Sequence, residues 1–148
     1  MKKTLYTINT CNNFMDIIFK PFGEPFAAQT EGLTIYNIMD DSLLKETLAG
    51  GGVTANVCSR MLSYAQAAQA SGADGILTTC TSVNEAAKYI RKFLNIPAMN
   101  IEEPVAEMAV ANGTRIGILA TLPNSSAAIG RAIMDKAAEA GTEHEPVN

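Results

Sequence analysis

The sequence has 148 residues, of which 47% are hydrophobic and 18% charged, with a formal net charge of −4 and a pI near 4.9. This length suits one domain of ordinary size with a substantial core, and the hydrophobic content excludes a disordered chain. The acidic balance, without any basic stripe, excludes nucleic acid as the partner, and no apolar run is long enough to cross a membrane.

Apolar runs of strand length alternate with helical patterns along the chain. The predicted strands are Leu5–Ile8, Leu33–Ile38, Gly75–Thr79, Ala98–Ile101 and Ile116–Ala120. The predicted helices are Phe14–Phe19, Ser42–Leu48, Ala55–Ala70, Asn84–Phe93, Pro104–Ala111 and Ser125–Ala140. Continuous apolar strands that alternate with helices indicate an α/β fold, in which helices flank a parallel sheet.

Two strand-to-helix junctions resemble each other, GILTT from Gly75 and GILAT from Gly117. An internal repeat and two ordinary α/β units would both produce this similarity. After the last helix, residues 142–148 predict the approach to a further strand that the chain does not complete.

Polar residues follow three of the predicted strands, at Asn9–Asn12, Thr79–Ser82 and Thr121–Asn124. Ligands of open parallel sheets bind beyond the carboxyl ends of the strands. A pocket made of these loops would offer hydroxyls, amides and backbone N–H groups, but no fixed positive side chain. Such a pocket suits a small carboxylate held by helix N-termini.

Cys80 lies where a buried strand ends and a helix start begins. Ser82 and Glu85 have the spacing of a capping box, which would leave free N–H groups pointing towards Cys80. A thiol at a helix N-terminus has a lowered pKa, and only its thiolate acts as a base or nucleophile. The alternative is a small hydrophobic side chain that closes the strand, but the polar neighbours of Cys80 favour chemistry.

The other cysteines are weaker candidates. Cys58 lies inside the long predicted helix and is interpreted as core, whereas Cys11 is left open with a non-catalytic role favoured. Since the N-terminus is too polar for a signal peptide, we expect a cytoplasmic protein with reduced thiols. The low charge fraction is compatible with a homo-oligomer.

Cysteine hydrolase chemistry and metal binding are both disfavoured. His144, the single histidine, lies in a polar tail and is interpreted as a solvated side chain. With one histidine and widely spaced cysteines, we expect no metal site. Gly50–Gly52 lacks the lysine of a phosphate-binding loop and is interpreted as a flexible loop.

The motif around Cys80 is identified with a known superfamily. Gly72–Ser82, written GADGILTTCTS, resembles the G-A-D-x-I-x-x-x-C-[TS]-S motif of aspartate/glutamate racemases, a group that includes hydantoin racemases, maleate isomerases and arylmalonate decarboxylases. Asn95–Pro104 and Gly113–Thr121 also match. Ile8–Asn9 resembles the opening of hydantoin racemases, although the residues that follow, Thr10–Asn12, depart from it.

This resemblance implies two α/β lobes related by a pseudo-dyad, with the substrate in the cleft between them. Residues 1–103 would form the first lobe, and residues 104–148 the beginning of an incomplete second lobe. Such proteins use neither pyridoxal phosphate nor a metal, so no cofactor is expected. Two cysteines face each other across the substrate carbon, one removing the α-proton and the other returning a proton.

Carried over by position, Cys80 is the catalytic cysteine of the first lobe. Thr81 and Ser82 would hold the substrate carboxylate, and Asn9 and Thr121 would line the same cleft. The second cysteine of the superfamily would lie beyond Asn148. Either the chain is a fragment, or it uses a single cysteine for a different reaction, such as double-bond isomerisation or protonation after decarboxylation.

The predicted function is that of a cofactor-independent racemase or isomerase of a small amino acid or related carboxylate. A thiol-dependent decarboxylase or a maleate-type cis–trans isomerase is one alternative. A non-catalytic carboxylate binder or an inactive truncated lobe is another.

Overall fold

A computed structural model describes residues 2–141 and 145–147 of the chain. Within these residues, four parallel strands form the larger sheet in the order β2-β1-β3-β4. These strands are β1 (Lys3–Asn9), β2 (Leu33–Met39), β3 (Gly75–Thr78) and β4 (Ala98–Asn100). The predicted α/β class and the first four predicted strands are confirmed.

Three helices of the first part of the chain pack against one face of this sheet. They are α2 (Ser42–Ala49), α3 (Ala55–Ala70) and α4 (Asn84–Ile90), whereas α1 (Glu24–Gln29) lies at the opposite face. Thr54 begins α3 by accepting a hydrogen bond from the Val57 N–H at 3.1 Å, as N-cap threonines do. The main core lies between the sheet and α2, α3 and α4; its fully buried side chains include Ile8, Leu43, Val57, Met61 and Ile90.

The opposite face of the sheet is covered by a segment that was only partly predicted. A π-helix, Met15–Gly23, leads directly into α1, and the Glu24 N–H bonds to the Phe19 carbonyl five residues earlier. The helical pattern was predicted only to Phe19, because Pro21 and Gly23 normally break an α-helix. The wider π-turn accommodates Pro21, and Pro25 fits the first turn of α1, where its missing N–H costs nothing.

The second part of the chain contains α5 (Glu103–Asn112), β5 (Arg115–Gly117), α6 (Pro123–Ala140) and β6 (Glu145–Val147). The strands β5 and β6 pair in parallel as a separate two-stranded sheet. α6 ends at Gly141, whose φ of 66° is the left-handed conformation that glycine adopts without strain. The prediction that the chain approaches a further strand without forming it is wrong, since residues 145–147 form β6.

Two other features of this region differ from expectation. β5 spans Arg115–Gly117, so the predicted strand Ile116–Ala120 was too long, and Ile118–Ala120 lie outside the observed strand. Gly75 begins β3 whereas Gly117 ends β5, so the two similar junctions occupy different places in their strands. This placement favours two ordinary α/β units over an internal repeat.

His144, which the sequence analysis interprets as a solvated side chain, lies outside the described residues.

Candidate active site

The ends of the three neighbouring strands β2, β1 and β3 are joined through one side chain, Asn9. Asn9 is fully buried, and its amide group donates to the Thr7 hydroxyl at 2.8 Å and to the Ile38 carbonyl at 3.1 Å. Its side-chain oxygen accepts from the Thr79 hydroxyl at 2.7 Å. Both amide hydrogens are therefore used within the protein, and Asn9 fixes the strand end that carries Cys80.

Cys80 follows β3 in an extended conformation, with φ −125° and ψ 112°. Its carbonyl accepts from the Val83 N–H at 3.2 Å, which closes a 3₁₀ turn over Thr81–Val83. The side chain is partly buried and packs against the main core. The thiol thus lies at the boundary between the core and the surface, at the carboxyl edge of the sheet where ligands of such folds bind.

The predicted capping box at Ser82 and Glu85 is wrong. The 3₁₀ turn shifts the start of α4 to Asn84, and no side chain caps that helix. The Ser82 hydroxyl instead lies 3.3 Å from the Ser125 hydroxyl of α6, and Glu85 forms a 2.8 Å ion pair with Arg131. Contacts with α6 have replaced the local hydrogen bonds that the sequence pattern favoured.

Thr81 and Ser82 line different cavities on either side of the turn. Thr81 lines a cavity of about 410 Å³ between the turn, α5 and the segment after β5; we call it the Glu102 cavity, after the one acidic residue of its lining. Ser82 lines a cavity of about 330 Å³ together with Gly51, Gly52 and Arg131. The glycine-rich loop therefore borders the predicted site. α6 adds a cation there, Arg131, whereas the sequence predicted a pocket without a fixed positive side chain.

Thr121 occupies an exposed bend between β5 and α6. Four residues further on, Ser125 reaches the turn beside Cys80, so the helix start that follows Thr121 does approach the predicted site. Asn9, Cys80, Thr81 and Ser82 lie on two adjacent strand ends, whereas Thr121 comes from the other sheet.

Cys58 lies in the first turn of α3, partly buried against the main core. Burial raises the pKa of this thiol, and the negative charge of Glu85 raises it further. Both effects disfavour the thiolate, which agrees with the interpretation of Cys58 as a core residue. Cys11 is partly buried in the loop after β1, where its sulfur lies 3.9 Å from the Thr10 hydroxyl.

A second polar cluster follows β2 at Asp40, and sequence analysis did not find it. The Asp40 carboxylate accepts from the Ser42 N–H at 3.0 Å, from the Tyr64 hydroxyl at 2.8 Å and from Arg60 at 3.0 Å. Burial alone would raise the pKa of Asp40, but the hydrogen bonds and the Arg60 charge together hold it below the ordinary value. Because its partners are all internal, this cluster joins α2 and α3 to the end of β2.

Glu102 is the other residue that sequence analysis missed. It comes two positions after Asn100, the last residue of β4, and its side chain is only 7% exposed. Neither carboxylate oxygen has a hydrogen-bond partner among the described residues. The sequence did offer a signal for Glu102, because it follows a predicted strand directly, as Cys80 does.

Within the described residues, no helix is long and apolar enough to cross a membrane, and no group of three or more acidic, cysteine or histidine side chains could hold a metal ion.

The fold is that of a solved racemase. The structure of glutamate racemase from Aquifex pyrophilus matches 97% of this chain with a TM-score of 0.64 at 15% sequence identity. This chain spans 54% of the length of that protein. At this identity the likeness shows a shared fold.

The family follows from the sequence. The family model described as Asp/Glu/Hydantoin racemase matches residues 26–145, and the chain therefore belongs to this family. No curated protein sequence matches the chain significantly.

Proposed function

We propose that this chain acts as a cofactor-independent racemase or isomerase of a small amino acid or related carboxylate, with Cys80 as its acid–base group. The observation that carries the proposal is the position of Cys80, at the end of a central strand in a chain of the Asp/Glu/Hydantoin racemase family. The shared fold with glutamate racemase supports the reaction class. In this proposal residues 1–103 form the first lobe and residues 104–148 belong to the second.

The reaction requires removal of a proton from a carbon next to a carboxylate. The Cys80 thiolate would take that proton and become a thiol, leaving an enediolate-like charge on the substrate. In the turn that begins at Cys80, Thr81 would hold this charge through its hydroxyl, and Ser82, whose side chain lines the other cavity, would hold it through its backbone N–H. If the thiol exchanges its hydrogen with solvent and then returns one to the same face, the substrate undergoes isotope exchange with retention, whereas delivery by an acid on the opposite face gives inversion.

Asn9 takes a more limited part than the resemblance implied. Its amide hydrogens are already donated to Thr7 and Ile38, so we assign it as a positioning residue that holds Thr79 beside Cys80. Thr121 is proposed to line the cleft from the second sheet.

Exchange of the substrate α-proton in D₂O, followed by NMR, tests the proposal. We expect Cys80→Ala to lower the exchange rate about 100-fold or more, since acid–base groups contribute at least that much. Cys11→Ala is the matched control, a partly buried cysteine in a neighbouring strand-end loop, and should keep the parental rate. Equal exchange by parent and folded Cys80→Ala would disprove the role of Cys80.

A second candidate is a carboxylate-binding chain without turnover. It is favoured by the cavity that Ser82 and Arg131 line together, since a hydroxyl and a guanidinium can hold a carboxylate without any proton transfer. Calorimetry with acidic amino acids, run beside the exchange assay, separates the two functions. Binding without exchange would support the binder, and Cys80-dependent exchange would rule it out.

A further inference from the structure

Glu102 is a buried carboxylate whose two oxygens have no hydrogen-bond donor among the described residues. The neighbouring Glu103 receives the available donors instead, namely the Arg91 guanidinium and the Asn100 N–H at 3.0 Å. Arg91 is close enough for the charge of Glu102 to oppose the lowering of the Arg91 pKa by burial. A buried carboxylate without a donor is costly, so its presence indicates a donor from outside the described chain.

The position of Glu102 relates it to the proposed reaction. Thr78 and Asn100 are paired across β3 and β4, and Cys80 and Glu102 each lie two positions beyond this pair. Glu102 and Thr81 line the same cavity of about 410 Å³. This volume lies within the usual range for small-molecule sites.

Apart from Glu102 and Thr81, the side chains that line the Glu102 cavity are apolar. Its walls include Ile116, Ile118, Ile129 and Ile133, contributed by the β5 region and α6. A ligand that matches this lining carries a cationic donor group at one end and a hydrocarbon group at the other.

We propose that the Glu102 cavity binds an α-amino acid with a free ammonium group and an aliphatic side chain. This inference rests on the proposed function and names its substrate class. The ammonium supplies the N–H donors that Glu102 lacks, and the aliphatic side chain lies against the isoleucines. A second substrate carboxylate would be repelled by Glu102, and a hydantoin offers no ammonium, so both should be poorer substrates.

The test uses L-leucine, L-glutamate and 5-isobutylhydantoin with the full chain, measuring α-proton exchange and calorimetric binding. We expect leucine to exchange and bind about tenfold better than the other two, the difference that one charged hydrogen bond makes. Glu102→Gln keeps the shape but removes the charge and should weaken leucine binding by about the same factor. Glu107→Gln, at an exposed position of α5, is the control and should change neither the binding nor the exchange of leucine.

A second variant tests the cavity without touching the carboxylate. Ala109 lines the cavity from α5, and Ala109→Phe would fill it and should abolish leucine binding. Thermal unfolding verifies that both variants fold.

The outcomes separate this inference from the proposed function. Cys80-dependent exchange of glutamate or the hydantoin in preference to leucine overturns the substrate class and leaves the proposed function standing. Binding of leucine that depends on Glu102, without exchange, supports the cavity as an amino-acid site and overturns the proposed function. Leucine binding that is unchanged in both Glu102→Gln and Ala109→Phe overturns the inference.

Discussion

The two sheets of the molecule differ in how completely they are packed. Among the described residues, the four-stranded sheet shares its core with α2, α3 and α4, where twelve buried hydrophobic residues form one continuous cluster. In the described part of the two-stranded sheet region, the buried cluster has three residues, Ala106, Ala132 and Ile133. Nearby hydrophobic side chains remain exposed, most strongly Leu119 at 99%. The rigid part of the candidate site is therefore the strand end that carries Cys80, and the second sheet supplies the more loosely packed wall.

The largest expected effect comes from a matched pair of isoleucines. Ile90 is fully buried in the main core, and Ile133 is 2% exposed in the small cluster. Ile90→Ala should lower the free energy of unfolding by about 4 kcal/mol, and Ile133→Ala by about 2 kcal/mol, because a loosely packed site can collapse around the lost atoms. Urea unfolding measures both values. Equal losses would show that the two regions are equally well packed.

The second largest expected effect comes from Asn9, whose hydrogen bonds join the strand ends of the four-stranded sheet. Asn9→Ala removes three hydrogen bonds and leaves buried partners unsatisfied, so we expect a loss of about 3 kcal/mol in the free energy of unfolding. Asn112→Ala is the control, since Asn112 is exposed and its side chain donates to the Met108 carbonyl of its own helix, and the loss should be about 0.5 kcal/mol or less. A comparably small loss at Asn9 would mean that it does not join the strands.

The smallest effect is a pH dependence at Asp40. The folded-state pKa of Asp40 is lowered, so its stabilising contribution is present above the unfolded-state pKa of about 3.9 and is lost as the pH falls through the folded-state value. Asp40→Asn should therefore destabilise the protein at pH 7 and have little effect near pH 2. Unfolding measured at both pH values tests this expectation, with Asp135→Asn, from an exposed ion pair with Lys88, as the control. The same loss at both pH values would exclude the ionised carboxylate as its cause.

Local patterns predicted most elements of the fold but failed where a neighbouring element intervened. The strands around Ile8 and Ile76 were predictable because buried parallel strands are rich in apolar residues, and the edge strand around Ile35 because apolar residues recur along it. The π-helix through Pro21 was not, because Pro21 and Gly23 are local signals for the end of an α-helix and nothing in the pattern indicates the wider turn. The capping box failed for a different reason, since α6 supplies partners to Ser82 and Glu85 from more than forty residues away.

The candidate site shows the same division. Cys80, Thr81 and Ser82 could be selected from sequence because one motif carries them at a strand end. The place of Glu102 just after β4 could have marked it as a candidate site residue. Its lack of a hydrogen-bond donor could not be predicted, because only the folded chain shows that Arg91 and the Asn100 N–H donate to Glu103.

The sequence by itself determined the α/β class, the family and the strand end that carries the cysteine, because hydrophobic periodicity and a contiguous motif are local properties of the chain. The tertiary structure alone decided which polar groups find partners: Asn9 is saturated, Ser82 faces α6, and Glu102 is buried without a donor beside an apolar cavity. Hydrogen bonding and burial depend on distances between segments that are remote in the sequence, and those distances exist only once the sheets and helices have packed.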